Sequence, residues 1–114
     1  MTFQNSIIQI TTNGMGHGDQ ELKLKLITTY LNLLLETETL PNIITFYNEG
    51  VKLLVEGSPV IEVLKLLEEK KVRLLACGTC MNFYNLTDKL QVGIIGGMTD
   101  IMEAQQKAEK VITL

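Results

Sequence analysis

The segment Cys77-Gly78-Thr79-Cys80 holds both cysteines of this chain, spaced C-x-x-C directly after the apolar run Val72-Arg73-Leu74-Leu75-Ala76. A strand that ends in a thiol where a helix begins brings sulfur to backbone N–H groups that stabilise a thiolate. Four readings compete. A zinc site takes about four ligands, and two cysteines with the lone His17 do not complete one within a single chain. A thioredoxin-type redox pair carries an aromatic residue before its first cysteine and a cis-proline after the pair. Here Ala76 precedes Cys77, and Pro41 and Pro59 both lie upstream. Incidental burial is the plain alternative, because free cysteine is commonly a core residue. The fourth reading is a nucleophilic thiol that accepts a sulfur atom and passes it on. Location favours it, since the thiolate is the attacking species and a helix start lowers a thiol pKa.

The elements that must position these thiols can be read from patterning. Short β-rich runs alternate with helical ones, the signature of an α/β fold with a mostly parallel sheet of about five strands. Ile7–Thr12 reads as the first strand and runs into a glycine-rich loop. A helix is predicted over Gln20–Glu36 with Asp19 as N-cap; Leu22, Leu26, Tyr30 and Leu34 form its apolar stripe, widened by Leu24, Ile27, Leu31 and Leu35. Asn42–Tyr47 reads as the second strand. Ser58-Pro59 announces a helix, with serine as N-cap and proline at the first helical position, and Val60, Val63, Leu64 and Leu67 as its buried face. Val72–Ala76 is the third strand and Gln91–Ile95 the fourth. A last helix is predicted from Thr99 or Asp100, and Val111–Leu114 as a short final strand.

In a parallel sheet, ligands bind outside the carboxyl ends of the strands. The loops expected there are Asn13-Gly14-Met15-Gly16-His17-Gly18, Asn48-Glu49-Gly50, the cysteine segment, and Gly96-Gly97-Met98. Three of them are glycine-rich, so backbone can approach a small ligand closely. The first loop is a weak dinucleotide signal. Its third glycine falls one residue early for G-x-G-x-x-G, and Tyr47-Asn48 stands where an acidic ribose contact is expected. A tight strand-to-helix turn explains it as well. His17 titrates near neutral pH, but a lone loop histidine is more often without a role and is left out of the catalytic set. Met15, Met81 and Met98 suit a polarizable pocket wall, and ordinary packing accounts for them equally. Phe83-Tyr84 is expected to anchor the short helix after the cysteines to the core.

Composition bounds the rest. The 114 residues are 46% hydrophobic and 20% charged with net charge −3, which suits one compact domain over residues 1–114. The chain has no Lys/Arg stripe, so nucleic acid is not the expected partner. It has no run of about 18 apolar residues that would span a membrane, and Met1–Asn5 lacks the basic start of a signal peptide. Two closely spaced cysteines do not make a secreted disulfide scaffold. A cytoplasmic, reduced protein is expected, and nothing in the residues calls for a cofactor.

Several segments together resemble the DsrE/DsrF-like sulfur-relay family, most closely the C-terminal domain of the selenium-metabolism protein YedF. The resemblance is carried by Gly14-Met15-Gly16 with Asp19 and Leu22; by Asn48 with Gly50-Val51-Lys52-Leu53 and Gly57-Ser58; by Leu75 to Tyr84 around the cysteines; and by Asp88-Lys89-Leu90 with Val92-Gly93. It implies a three-layer α/β/α sandwich that forms homo-oligomers, often trimers or hexamers. It also implies sulfur transfer through a cysteine persulfide, with a TusA-like sulfur carrier as a partner. The sulfur-carrying cysteine of the relay members matches Cys77, leaving Cys80 as a resolving thiol or second acceptor. The expected site is therefore Cys77 and Cys80, with Gly14, Met15, Gly16, Asn48, Gly50, Gly78, Thr79 and Met98 as its binding wall. The amides of Gly78, Thr79 and Cys80 are expected to stabilise the anionic sulfur. Two positions depart from the family pattern: Asn85 replaces a usual glycine, and Gly96-Gly97-Met98 replaces Ser-Asn-Met. No part of this sequence corresponds to the TusA-like domain that begins the selenium-metabolism protein. A non-catalytic oligomeric binding subunit, or a thiol–disulfide redox protein, are the competing functions.

Overall fold

The computed structural model describes residues 3–114; Met1 and Thr2, which opened the N-terminal segment read above, lie outside the described residues. Five strands form one all-parallel sheet: β1 (Ser6–Ile10), β2 (Ile43–Phe46), β3 (Arg73–Cys77), β4 (Ile94–Gly96) and β5 (Lys110–Thr113), in the order β4-β3-β2-β1-β5. Four helices connect them: α1 (Gln20–Glu36), α2 (Ile61–Glu69), α3 (Gly78–Phe83) and α4 (Met98–Lys107).

Strand alternation divides the core into two layers. Ile8, Ile10, Ile44, Phe46, Leu74 and Ala76 point to one face and pack against Ile27, Leu31 and Leu34 of α1 and Val63, Leu64 and Leu67 of α2. Ile7, Ile43, Leu75 and Cys77 point to the other face and pack under Ile101 of α4. Both faces are covered near the centre, which is why the central strands read as unbroken apolar runs. Cys77 thus belongs to the α4 side of the sheet, in register with Gly96 of β4.

Helix α1 has the predicted bounds, and Asp19 accepts from the Glu21 N–H at 2.9 Å. Its predicted stripe is half wrong. Ile27, Leu31 and Leu34 are buried, whereas Leu22 and Leu26 are exposed. Its apolar residues spread over more than half of the circumference, wider than the face that is buried, so periodicity cannot choose within them; packing against the sheet does. Helix α2 buries the four residues expected, but it begins at Ile61. Ser58 instead closes a turn ahead of it, its Oγ accepting from the Val60 N–H.

The expected fourth strand at Gln91–Ile95 is displaced to Ile94–Gly96, because Gly93 turns with φ +85 beneath the Leu74 carbonyl. The first strand also stops early, at Ile10 rather than Thr12. A segment read only as a loop, Asn48–Leu54, is a 3₁₀ helix that buries Val51, Leu53 and Leu54. Asn85 stands at φ +57, the left-handed region that suits glycine and that asparagine tolerates. It ends α3 with paired bonds, Asn85 N–H to Asn82 and Leu86 N–H to Met81, a Schellman closure.

Candidate functional site

Cys77 is the last residue of β3 and the residue from which α3 starts, so the two cysteines straddle a strand-to-helix junction. Cys77 is only 1% exposed and packs among Ile7, Ile43, Leu75 and Ile101. Its side chain makes no capping bond to the α3 backbone, so none of the Gly78, Thr79 and Cys80 amides acts as that cap. Cys80, one turn on, is part-exposed. Cys80 packs against the cluster to which Cys77 belongs.

The amide that does reach a thiol comes from another loop. Asn48 donates its backbone N–H to Cys80 Sγ at 3.0 Å. Asn48 can do so because it directly follows the end of β2, the neighbour of β3; its φ of +53 then turns the chain into the 3₁₀ segment. Gly50 makes that turn fit, since a Cβ there would lie 2.1 Å from the Ile10 carbonyl oxygen. Tyr84 closes the arrangement, its hydroxyl donating to Asn48 Oδ1 at 3.3 Å. Lys52 lies 4.7 Å over the Tyr84 ring and pairs with Glu49 at 3.1 Å.

Burial, then the neighbouring Cys77, push the Cys80 thiol above its ordinary pKa, and the Asn48 N–H opposes them.

A cavity of about 390 Å³ opens beside this junction, lined by Tyr47, Asn48, Thr79, Cys80, Phe83, Tyr84 and Met98. Four of the expected site residues, Asn48, Thr79, Cys80 and Met98, are therefore gathered on one wall. Gly78 lies beneath it, against Ile95 and the Gly96 carbonyl, and Gly50 supports the Asn48 turn from below. Gly14, Met15 and Gly16 are not brought to the cavity. Their loop folds onto the start of α1, where the Met15 N–H donates to the Lys23 carbonyl and a Cβ on Gly14 would strike Lys23. A tighter cavity of about 140 Å³ lies at the opposite end of the sheet, between Asn42, Arg73 and Glu103. It is mixed in charge and lacks a thiol.

The aromatic wall was missed by the sequence reading. Phe83 does not anchor α3: it is 77% exposed and meets Tyr84 edge-on with ring centres 5.2 Å apart. The signal was present, since Cys80, Phe83 and Tyr84 are spaced i, i+3, i+4 and so share one side of a helix. Among the described residues, no three His, Cys, Asp or Glu side chains converge in a way that could hold a metal ion. No helix there is long and apolar enough to cross a membrane.

The model of the DsrE/DsrF-like family matches residues 6–114. The chain belongs to that family. No curated protein matches the sequence. Among solved structures, the fold is similar to a protein of unknown function, MTH1491, from Methanobacterium thermoautotrophicum, with TM-score 0.67 and 22% identity over 96% of this chain and 97% of that one. It is similar to the ychN protein of E. coli, with TM-score 0.66 and 20% identity over the whole of both chains. A third similar structure is a conserved protein of unknown function, BT1422, from Bacteroides thetaiotaomicron, with TM-score 0.69 and 13% identity over 100% of this chain and 98% of that one. At these identities the likeness is one of fold. It agrees with the α/β architecture and five-stranded parallel sheet expected of a DsrE-like chain.

Proposed function

We propose that this DsrE-like domain is a cytoplasmic sulfur-relay protein that carries a persulfide on its C-x-x-C pair, with Cys77 as the holder of the cargo sulfur or its heavier relative selenium. One observation carries the reading: two thiols one helical turn apart at the end of β3, one sealed in the core and the other on the wall of an apolar cavity. A persulfide exchanges by thiolate attack at sulfur, so a relay needs a thiol that a donor can meet. It also needs a position where the carried sulfur is kept from water and stray thiols. The junction supplies both. The subgroup to which the cysteine segment points is the selenium-metabolism one, and a TusA-like carrier is the proposed exchange partner.

Assembly into a homo-oligomer, a trimer or hexamer, belongs to the same proposal. Leu22, Leu26 and Leu33 lie four and seven residues apart along one side of α1 and are 44–53% exposed. Such an apolar stripe suits burial against another copy.

The test is the intact mass of the reduced protein after exposure to inorganic polysulfide, repeated on Cys77→Ser and Cys80→Ser. Added sulfur that persists on the wild type after the polysulfide is removed, and does not persist on Cys77→Ser, supports the relay. The raised pKa of Cys80 favours one other reading, a non-catalytic binding subunit whose cavity holds a partner's cysteine-bearing tail. Absence of any sulfur gain in the wild type would favour that reading. Loss of two hydrogens dependent on both cysteines would favour a redox pair.

A further inference from the structure

The geometry points to Cys80, rather than Cys77, as the thiol that first meets the sulfur donor, with the Asn48 backbone N–H holding its sulfur in place and Cys77 taking the cargo inward. This rests on the relay reading and adds an order of events to it. Three features support the order. Cys77 is 1% exposed beneath Ile101 and Ile7, so no donor approaches it without the local core opening. Cys80 is part-exposed and shares the cavity wall with Thr79, Phe83 and Met98. The backbone N–H that reaches Cys80 Sγ at 3.0 Å comes from Asn48, a residue held in the left-handed region. Hydrogen bonding of a thiolate by a fixed amide stabilises the charged form.

The chemistry balances in two exchanges. In the first, the Cys80 thiolate attacks the outer sulfur of a donor R–S–SH. The new S–S bond forms on Cys80, the donor's S–S bond breaks, and RS⁻ leaves and takes up the proton released by Cys80. In the second, the Cys77 thiolate attacks that same outer sulfur, forming Cys77–S–SH and returning Cys80 to a thiol once it regains the proton given up by Cys77. Neither step changes the net oxidation state of the pair, so no oxidant or reductant is required. The two thiols stand one helical turn apart, and Cys80 packs against the cluster that holds Cys77. The sulfur therefore has only a short path to cross. The cavity wall carries the rings of Tyr47, Phe83 and Tyr84 and the Met98 thioether, which suits the weakly hydrated sulfane end of a donor.

Single-thiol variants test the order, because each leaves one address for the sulfur. Wild type, Cys77→Ala and Cys80→Ala are pulsed with inorganic polysulfide, quenched with an alkylating agent and weighed intact. Cys77→Ala should still gain sulfur, now held on Cys80. Cys80→Ala should gain it at least ~10-fold more slowly, the factor that a core-opening cost of only about 1.4 kcal/mol imposes. Wild-type loading of Cys80→Ala would overturn the order while leaving the relay standing. No gain in any protein, wild type included, would remove the relay and this inference with it. Limited alkylation of the unmodified wild type, located by fragmentation, gives a reading free of mutation. Cys80 should be modified first, and modification of Cys77 first would overturn the proposal.

Discussion

Gly50 is the residue on which the Asn48 turn depends, and its replacement by alanine tests the architecture of the site. A Cβ at Gly50 would lie 2.1 Å from the Ile10 carbonyl oxygen and 2.8 Å from its carbon, where ordinary contact begins at 3.4 Å. Neither atom is the end of a flexible side chain. Both belong to the last residue of β1, whose oxygen also accepts from the Tyr47 N–H at 3.1 Å. Relief therefore requires the 3₁₀ segment to move off the sheet, taking Asn48 with it. Overpacking of this kind costs about 3 kcal/mol, and for a domain near this size that lowers the melting temperature by roughly 10–20 °C. Gly57→Ala is the matched control. Gly57 has φ +93 but nothing within 4 Å of the added methyl, so it loses only the left-handed preference, about 1 kcal/mol. The assay is a thermal melt of both variants by circular dichroism, with the alkylation rate of Cys80 measured below the transition. Gly50→Ala should melt well below Gly57→Ala and alter Cys80 reactivity, because the Asn48 N–H moves. If Gly50→Ala melts no lower than Gly57→Ala and leaves Cys80 reactivity unchanged, the account of this turn is wrong.

Four further expectations follow from the same structure. Asn48→Gly keeps the left-handed backbone and its N–H while losing the Tyr84 contact, so it should be milder than Asn48→Ala, which adds about 1 kcal/mol of strain; equal denaturant midpoints would count against the role given to φ +53. The raised Cys80 pKa means that the unfolded chain releases its thiol proton first as pH rises through about 8.5. The folded state then holds more protons, so stability is fully present below that pH and declines above it. Urea midpoints between neutral and alkaline pH should fall less steeply in Cys80→Ser than in wild type, and parallel slopes would contradict the assignment; Tyr30, whose pKa burial also raises, contributes at higher pH in both. Leu31→Ala should cost about 2–5 kcal/mol, because Leu31 is fully buried. Leu26→Ala should cost under about 0.5 kcal/mol in a monomer and more in an oligomer that buries it, so its effect on sedimentation and on concentration-dependent melting tests the proposed assembly.

Much of the fold was legible because its signals are local. The Asp19 cap and the 17-residue span of α1 needed only propensity and capping chemistry, and the apolar runs of β2 and β3 announced strands covered on both faces. The misses share a cause. The buried face of α1 could not be chosen because its leucines spread over more of the circumference than the sheet covers. The Asn48–Leu54 helix escaped notice because three-residue periodicity over two turns is hard to tell from a loop. Gly93 displaced β4 because its positive φ answers to the Leu74 backbone, a neighbour distant in sequence.

The site divides along the same line. That two thiols stand one turn apart at a strand-to-helix junction follows from C-x-x-C after an apolar run, and the sequence alone determined it. Which thiol faces the core was decided by the sheet: β3 alternation and the position of α4 send Cys77 inward, to 1% exposure. Which amide meets sulfur was also a tertiary outcome, since Asn48 and Cys80 are 32 residues apart and meet only because β2 and β3 are neighbours. The glycine loop after β1 shows the converse. Its composition suggested a ligand wall, but its backbone groups are taken up locally, by Thr12 ahead of the loop and by Gln20 and Lys23 of α1. A residue's type states what chemistry it can do; only the packing of segments far apart in the chain decides what it is given to act upon.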